Sequence, residues 1–192
     1  MDEKLIRDRG PDVVVIATGG EPIRPDIPGI DGSHVAQAWD VLAGKADIGK
    51  EVVVIGGGSV GTEVAAFIAK IGTISADTLQ FLFLHKAEDT ETLLEISTRW
   101  IALQTLSRYG VKTRTKMTAK EITPEGVIVE GNGKRELIRC DTVVLALGTR
   151  SVNTPEEKIR GIVGQVMVIG DAKRPRKAYE AIREGFLAAR EI

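Results

Sequence analysis

Val52-Val53-Val54-Ile55-Gly56-Gly57-Gly58-Ser59-Val60-Gly61-Thr62-Glu63-Val64-Ala65-Ala66 decides how the chain is read. Its first four residues are β-branched and apolar, the pattern of a strand buried on both faces in a parallel sheet. After three glycines, Val60, Val64, Ala65, Ile68 and Ala69 recur at helical spacing. A strand, a tight Gly turn and a helix in that order form the first half of a dinucleotide-binding unit. In this G-x-G-x-x-G, Gly56 allows the sharp turn and Gly58 lets a pyrophosphate approach the backbone. Gly61 lets the helix sit close on the strand. The pyrophosphate would lie against the unpaired N–H groups and positive dipole end of the helix. The plain alternative is a Gly-rich turn without a ligand; the strand before it and the helix after it favour a nucleotide site.

The whole chain sets wider bounds. Its 192 residues suffice for one good core or two small ones. A formal net charge of −1 gives no electrostatic reason to expect nucleic acid or an anionic membrane surface as partner. No apolar run reaches the length of a membrane span, and Met1-Asp2-Glu3-Lys4 does not read as a signal peptide. Cys140 stands alone, which excludes an internal disulfide and a C-x-x-C redox centre. A reducing cytoplasm is the expected compartment. His34 and His85 lack metal-ligand spacing, and no metal site is expected.

Around the central unit, residues 1–10 are charged and offer at most the end of a helix. Pro11-Asp12-Val13-Val14-Val15-Ile16-Ala17-Thr18-Gly19-Gly20 reads as a second buried strand ending at small residues. Open α/β sheets bind ligands at such carboxyl ends. Pro22, Pro25 and Pro28 make the next stretch a stiff extended crossing. A short helix is expected around residues 35–42. Residues 78–85 are compatible with a buried strand or an apolar helix face. A helix over Ser97–Gly110 is capped by Ser97 and ended by Gly110, with Trp100 and Tyr109 in the core. Residues 111–137 alternate and read as short antiparallel strands with turns at Pro124-Glu125-Gly126 and Gly131-Asn132-Gly133. Thr142–Gly148 and Val166–Asp171 are two more buried strands ending in small residues. The closing helix, 177–192, is expected to bury Ala181, Ile182, Gly185, Phe186 and Ala189. Asp171, at a strand's carboxyl end, could accept hydrogen bonds from a sugar-like hydroxyl or cap the following turn.

Asp12-Val-Val-Val-Ile-Ala-Thr-Gly19, then residues 52–63, then Leu145-Ala-Leu-Gly148, then Ile169-Gly-Asp171 together resemble the FAD-dependent pyridine nucleotide-disulfide oxidoreductase superfamily. Within it, Pro25-Asp26-Ile27-Pro28-Gly29, the stretch 81–88 and Ile169–Lys177 look most like the C-terminal part of enoate reductases and 2,4-dienoyl-CoA reductases. The resemblance implies an α/β, Rossmann-like three-layer FAD/NAD(P)-binding fold with a parallel sheet and a small antiparallel meander. It implies a partial FAD-binding domain over 1–46 and 149–192, with an NAD(P)H-binding domain inserted over 47–148. By position, Gly56, Gly57, Gly58, Ser59, Val60 and Gly61 would hold the pyrophosphate of NAD or NADP, with Glu63 near the nicotinamide. Ala17, Thr18, Gly19, Gly148, Gly170 and Asp171 would line the FAD, with Asp171 bonding its ribityl or phosphate region. In that group an FMN barrel and an iron–sulfur cluster precede these domains, and such an upstream domain is the implied partner.

Two features depart from the family pattern. The glycine loop that holds the FAD pyrophosphate would precede residue 1, so the chain reads as part of a longer protein. The strand ending in the acid that grips the NAD ribose is not evident. A segment missing near Glu95–Ser97 is the favoured explanation; Glu88 is the fallback, and Asp77 has the spacing but a helix-start context. Cys140 matches no redox pair of the superfamily and is expected to be structural. The function implied is hydride transfer from NAD(P)H to FAD, with the protein supplying orientation and electrostatics. The alternative is a dinucleotide-binding or interaction module without chemistry. A self-contained NAD-dependent dehydrogenase is disfavoured, because no His or Lys stands at a strand end.

Overall fold

The computed structural model describes residues 3–71, 79–84 and 96–192, with backbone only for 79–84, 96–99 and 102. In chain order the elements run α1 (Glu3–Arg9), β1 (Val13–Ile16), β2 (Gly20–Pro22), β3 (Val35–Gln37), α2 (Ala38–Leu42), β4 (Val52–Ile55), α3 (Ser59–Lys70), β5 (Leu79–Leu84), α4 (Ile96–Arg108), β6 (Lys112–Thr123), β7 (Gly126–Gly131), β8 (Lys134–Arg139), β9 (Thr142–Leu145), β10 (Thr149–Ser151), α5 (Thr154–Ile159), β11 (Gln165–Val168), a 3-10 turn (Gly170–Ala172) and α6 (Ala178–Glu191). They form two compact units, Pro22–Gly148 and Met1–Glu21 with Thr149–Ile192.

β4 organises the larger unit. All four of its side chains are fully buried, and they alternate between two cores. Val52 and Val54 join Ala38 and Val41 of α2, Val64, Ala65 and Ile68 of α3, and Leu106 of α4. Val53 and Ile55 join Met117, Ala119, Ile122, Val127 and Val129 of the meander. Burial of each such side chain is worth about 1.5–3 kcal/mol. The layers are therefore helices, parallel sheet and antiparallel meander, the α/β arrangement the sequence predicts.

The sheet order is β3-β9-β4-β5-β6-β7-β8. Pairing is parallel from β3 to β6, and β6-β7-β8 is antiparallel. β6 belongs to both parts: it begins beside β5 and ends beside β7. Lys116, with φ 56, stands where the register against β5 shifts, and a left-handed residue there turns the strand. Asn132 (φ 52) and Gly133 (φ 73) make the hairpin turn between β7 and β8.

The strand position beside β4 is taken by β5, so residues 79–84 are the strand of the two possibilities. Among the described residues, β5 stands between β4 and β6. Asp77, His85, Glu88 and Glu95 lie outside the described residues. Residues 35–42 are not one helix but a strand, β3, followed by a short helix; Val35 and Ala36 pair with Val143 and Val144 of β9.

Residues 22–46, expected with the outer domain, group with the larger unit. The packing explains it. Ile122 donates its N–H to Pro28 O at 2.8 Å, and Ile30 is buried among the meander residues. The larger unit ends at Gly148, and Thr149 belongs to the smaller one.

In the smaller unit β1 and β11 pair in parallel, Ile16 opposite Val168. Ile16, Ile159 and Ala172 form its core with Ile6, Val14, Val166 and Val168 packed around them. Two expectations fail on helix faces. Trp100 is 65% exposed, although Tyr109 does pack on the helix-side core. On α6, Ile182 and Phe186 are exposed at 72% and 62%, and Ala189 is exposed; Ala188 is the buried residue. No helix among the described residues is long and apolar enough to cross a membrane.

Candidate nucleotide-binding sites

The first candidate lies at the carboxyl end of β4. Gly56 has φ 140, and a Cβ there would stand 2.1 Å from Ala146 O. Ala146 in turn donates its N–H to Ile55 O at 2.8 Å, so the turn is pressed against the end of β9. A side chain at Gly61 would meet Gly56 O at 2.3 Å, which sets how closely α3 approaches the strand. Gly58 differs. It is the N-cap of α3, with φ −83, and a Cβ there meets nothing within 4 Å. Two glycines of the motif are thus packed against backbone, and the middle one faces open space.

The helix that follows is held from within. Thr62 reaches back with its hydroxyl to the carbonyls of Gly58 (3.0 Å) and Ser59 (2.8 Å). Its own N–H bonds Gly58 O at 3.1 Å. Helix geometry leaves the amides of Ser59, Val60 and Gly61 without carbonyl partners, beside the positive end of the dipole. Val60 packs toward the helix-side core, and Ser59 and Glu63 are exposed. The arrangement fits an anionic pyrophosphate: donors, a favourable dipole and room for the ligand at Gly58.

The second candidate is built at the carboxyl ends of β1 and β11. Ile169 continues the ladder by donating to Ile16 O at 3.0 Å, which brings Ala17-Thr18-Gly19 beside Gly170-Asp171. Thr18 donates its hydroxyl to Val152 O, and Val152 donates its N–H to Gly19 O at 3.0 Å. Asp171 accepts the Arg176 N–H at 3.1 Å on Oδ1. Of the two readings of Asp171, the turn-holding one is therefore present on one oxygen; Oδ2 makes no such bond to the described residues. These groups fit the polyol part of a flavin nucleotide, which offers hydroxyls to a carboxylate. Gly148 belongs to the larger unit; its φ is 96 and its carbonyl accepts the Ile23 N–H at 3.0 Å.

Two residues escaped the sequence reading. Ala146 braces Gly56 through its backbone, which no side-chain pattern reveals. Glu184, on α6, accepts the Gly170 N–H at 2.8 Å on Oε2. A charged residue between Ala181, Gly185 and Ala188 on the packed face of a helix was the available signal. Cys140 is buried, and burial, with Asp141 and Glu51 nearby, pushes its thiol up to about 12. Asp141 accepts the N–H groups of Lys50 (2.8 Å) and Glu51 (3.1 Å), which ties the start of β9 to the start of β4. Among the described residues no cluster of His, Cys, Asp or Glu could hold a metal ion.

Comparison with known proteins gives a consistent answer. The chain is 40% identical over 196 residues to a metal reductase of Desulforamulus reducens, covering 90% of this chain and 29% of that protein. It is 38% identical to an NADH oxidase of Thermoanaerobacter brockii, covering 100% of this chain and 29% of the relative. Among solved structures, 2-naphthoyl-CoA reductase in complex with 2-naphthoyl-CoA superposes with a TM-score of 0.81 at 32% identity, over 95% of this chain and 27% of that one. The chain thus spans less than a third of the length of each of these proteins. Residues 7–185 match the family described as pyridine nucleotide-disulphide oxidoreductase, and the chain belongs to that family.

Proposed function

We propose that this chain is the NAD(P)H-binding part, with flanking FAD-binding elements, of a flavin-dependent oxidoreductase. The parent protein would be of the enoate or 2,4-dienoyl-CoA reductase kind. The observation that carries the reading is the pair of packed glycines, Gly56 and Gly61, around an open Gly58 at the start of α3. The names of the relatives, an NADH oxidase and several reductases, support it.

In this reading the α3 amides bind the pyrophosphate of NAD(P)H and Glu63 lies toward the nicotinamide. Ala17, Thr18, Gly19 and Asp171 hold the polyol of FAD. When bound, the pair would supply the chemistry, hydride transfer from reduced nicotinamide to flavin. The chain orients and excludes; no side chain of its own is assigned a proton in the transfer. The 192 residues contain a single G-x-G-x-x-G, so the loop for the FAD pyrophosphate is assigned to a further part of the parent protein. The exposed face of α6, with Tyr179, Ile182 and Phe186, supports a partial flavin domain whose remainder would cover it. An upstream FMN and iron–sulfur domain belongs to the same proposal, as does a cytoplasmic location.

Calorimetric titration with NADH and with NADPH tests the reading. Saturable binding of one of them, lost in Gly58→Ala, is expected. Absence of binding for both at millimolar concentration would overturn it.

A further inference from the structure

The Gly170–Arg176 loop is closed by a ring of four residues. Glu184 Oε2 accepts the Gly170 N–H at 2.8 Å, and Glu184 Oε1 accepts a hydrogen bond from the Arg176 guanidinium. Arg176 uses its backbone N–H to hold Asp171 Oδ1 at 3.1 Å and its Nε to hold Arg174 O at 3.3 Å. Asp171 follows Gly170 in the chain, which completes the ring. Lys173 adds a third contact to Glu184, 3.9 Å from Oε1.

The local sequence makes the ring possible. Gly170 has φ 61, and a Cβ there would lie 3.4 Å from the Ala181 Cβ. Ala181 and Gly185 are small, so α6 comes close enough for a carboxylate at 184 to reach the turn. The Glu184 side chain is only 16% exposed, and both oxygens are committed. The Arg176 guanidinium, and then the Gly170 N–H, hold its carboxyl below the usual carboxylate range. Charge-assisted bonds of this kind are the stronger ones.

We propose that Glu184 is the positioning residue for Asp171. By fixing Gly170 and Arg176 it commits one Asp171 oxygen to the chain and leaves the other for a ligand hydroxyl, the chemistry of a ribityl chain. This rests on the reading that the turn receives FAD. It adds to that reading a residue that touches no ligand and acts through two others. A strap that merely held α6 to the sheet would not need to engage the residue whose backbone holds Asp171.

The test is FAD titration of the parent protein freed of its flavin, followed by quenching of flavin fluorescence, on wild type, Asp171→Asn, Glu184→Ala, Glu184→Gln and the Asp171→Asn/Glu184→Ala double variant. Wild type is expected to saturate, and Asp171→Asn and Glu184→Ala each to weaken binding about tenfold. Glu184→Gln keeps an acceptor for Gly170 and is expected to fall between wild type and Glu184→Ala. The double variant should bind no more weakly than Asp171→Asn alone, because Glu184 acts through Asp171. A purely structural role would give additive losses. Additive losses, or Glu184→Ala binding as wild type while Asp171→Asn does not, would overturn this inference and leave the flavin reading intact. No saturation by wild type, or no effect of Asp171→Asn, would overturn the flavin reading and this inference with it. Amide exchange in the ligand-free chain keeps a folding defect separate: Glu184→Ala should speed exchange at Gly170 and Arg176 and leave β4 and β9 unchanged. Unchanged exchange at both amides would also overturn the proposal.

Discussion

Replacing Gly61 by Ala adds one methyl group at a position where helix propensity alone would favour it by about 1 kcal/mol. The structure predicts the opposite sign. The new Cβ would stand 2.3 Å from Gly56 O and 3.0 Å from Gly56 C, with Ala146 Cβ at 3.4 Å. The obstacle is backbone, and Gly56 is itself pinned against Ala146 O, so nothing can rotate aside. Relief requires α3 to move away by roughly 1 Å to an ordinary carbon–oxygen contact. Overpacking costs about 1–3 kcal/mol, and an obstacle made of backbone puts it in the upper part of that range, about 2–3 kcal/mol, which leaves a net loss of about 1–2 kcal/mol after the propensity gain. For a chain of this size that lowers the melting temperature by roughly 2–8 °C. Both tryptophans, Trp39 and Trp100, lie in the Pro22–Gly148 unit, so tryptophan fluorescence follows that unit alone. A Gly61→Ala chain melting at or above the wild-type temperature would refute the packing argument.

Three further outcomes are expected. Gly58→Ala meets no neighbour and has an ordinary φ, so it should change the melting temperature little while abolishing NAD(P)H binding; unchanged affinity would remove the pyrophosphate from this loop. Cys140, with its thiol raised to about 12 by burial and by Asp141 and Glu51, should resist a disulfide reagent at pH 8 until the chain unfolds. Its contribution to stability is complete below the unfolded thiol value of about 8.5 and is lost as pH rises toward 12, so Cys140→Ala should flatten that alkaline loss; labelling of the folded chain at the free-thiol rate would contradict this. Burial works to raise the Asp141 carboxyl, but the N–H groups of Lys50 and Glu51 and the Thr142 hydroxyl outweigh it and lower its pKa. That stability is present above the unfolded carboxylate value of about 3.9 and is lost as pH falls through the lower folded one. Asp141→Asn should therefore narrow the gap between melting temperatures at neutral and acid pH; an unchanged gap would refute the clamp.

The sequence was most legible where one residue type has one physical use. Val52–Ile55 could be buried only on both faces, and the glycines that follow are needed by a carbonyl or by open space rather than by composition. The strand ends at Ala17–Gly19 and Gly170–Asp171 were legible because small residues and an acid recur at the same place in the pattern. Helix faces were less legible. On α6 the apolar count favoured Ile182 and Phe186, yet the helix turns its small residues toward Gly170, because closeness there matters more than apolar area. Trp100 likewise follows the helical period but stands on the outer side of α4. β3 was missed because three residues, Val35-Ala36-Gln37, carry no period of their own; β9 supplies the pairing. The edge between the two units was set by Pro28 and Ile30 meeting the meander, a long-range contact invisible in local sequence.

The pairing of β1 with β11 has a consequence for how the chain is made. About 150 residues separate Val13 from its partner Gln165, and the whole Pro22–Gly148 unit is spelled out between them. At about 5–20 residues per second on the ribosome, β1 waits roughly 8–30 s for its neighbour. Val52 waits for Thr142 over a shorter span, so the inner unit can complete its sheet first. Throughout that interval Val13-Val14-Val15-Ile16 is an apolar segment with an unpaired edge, the kind of segment that chaperones hold and that aggregates when they do not. The order of synthesis makes the inner unit the earlier-folding half and the outer pair the step at which the nascent chain is most exposed.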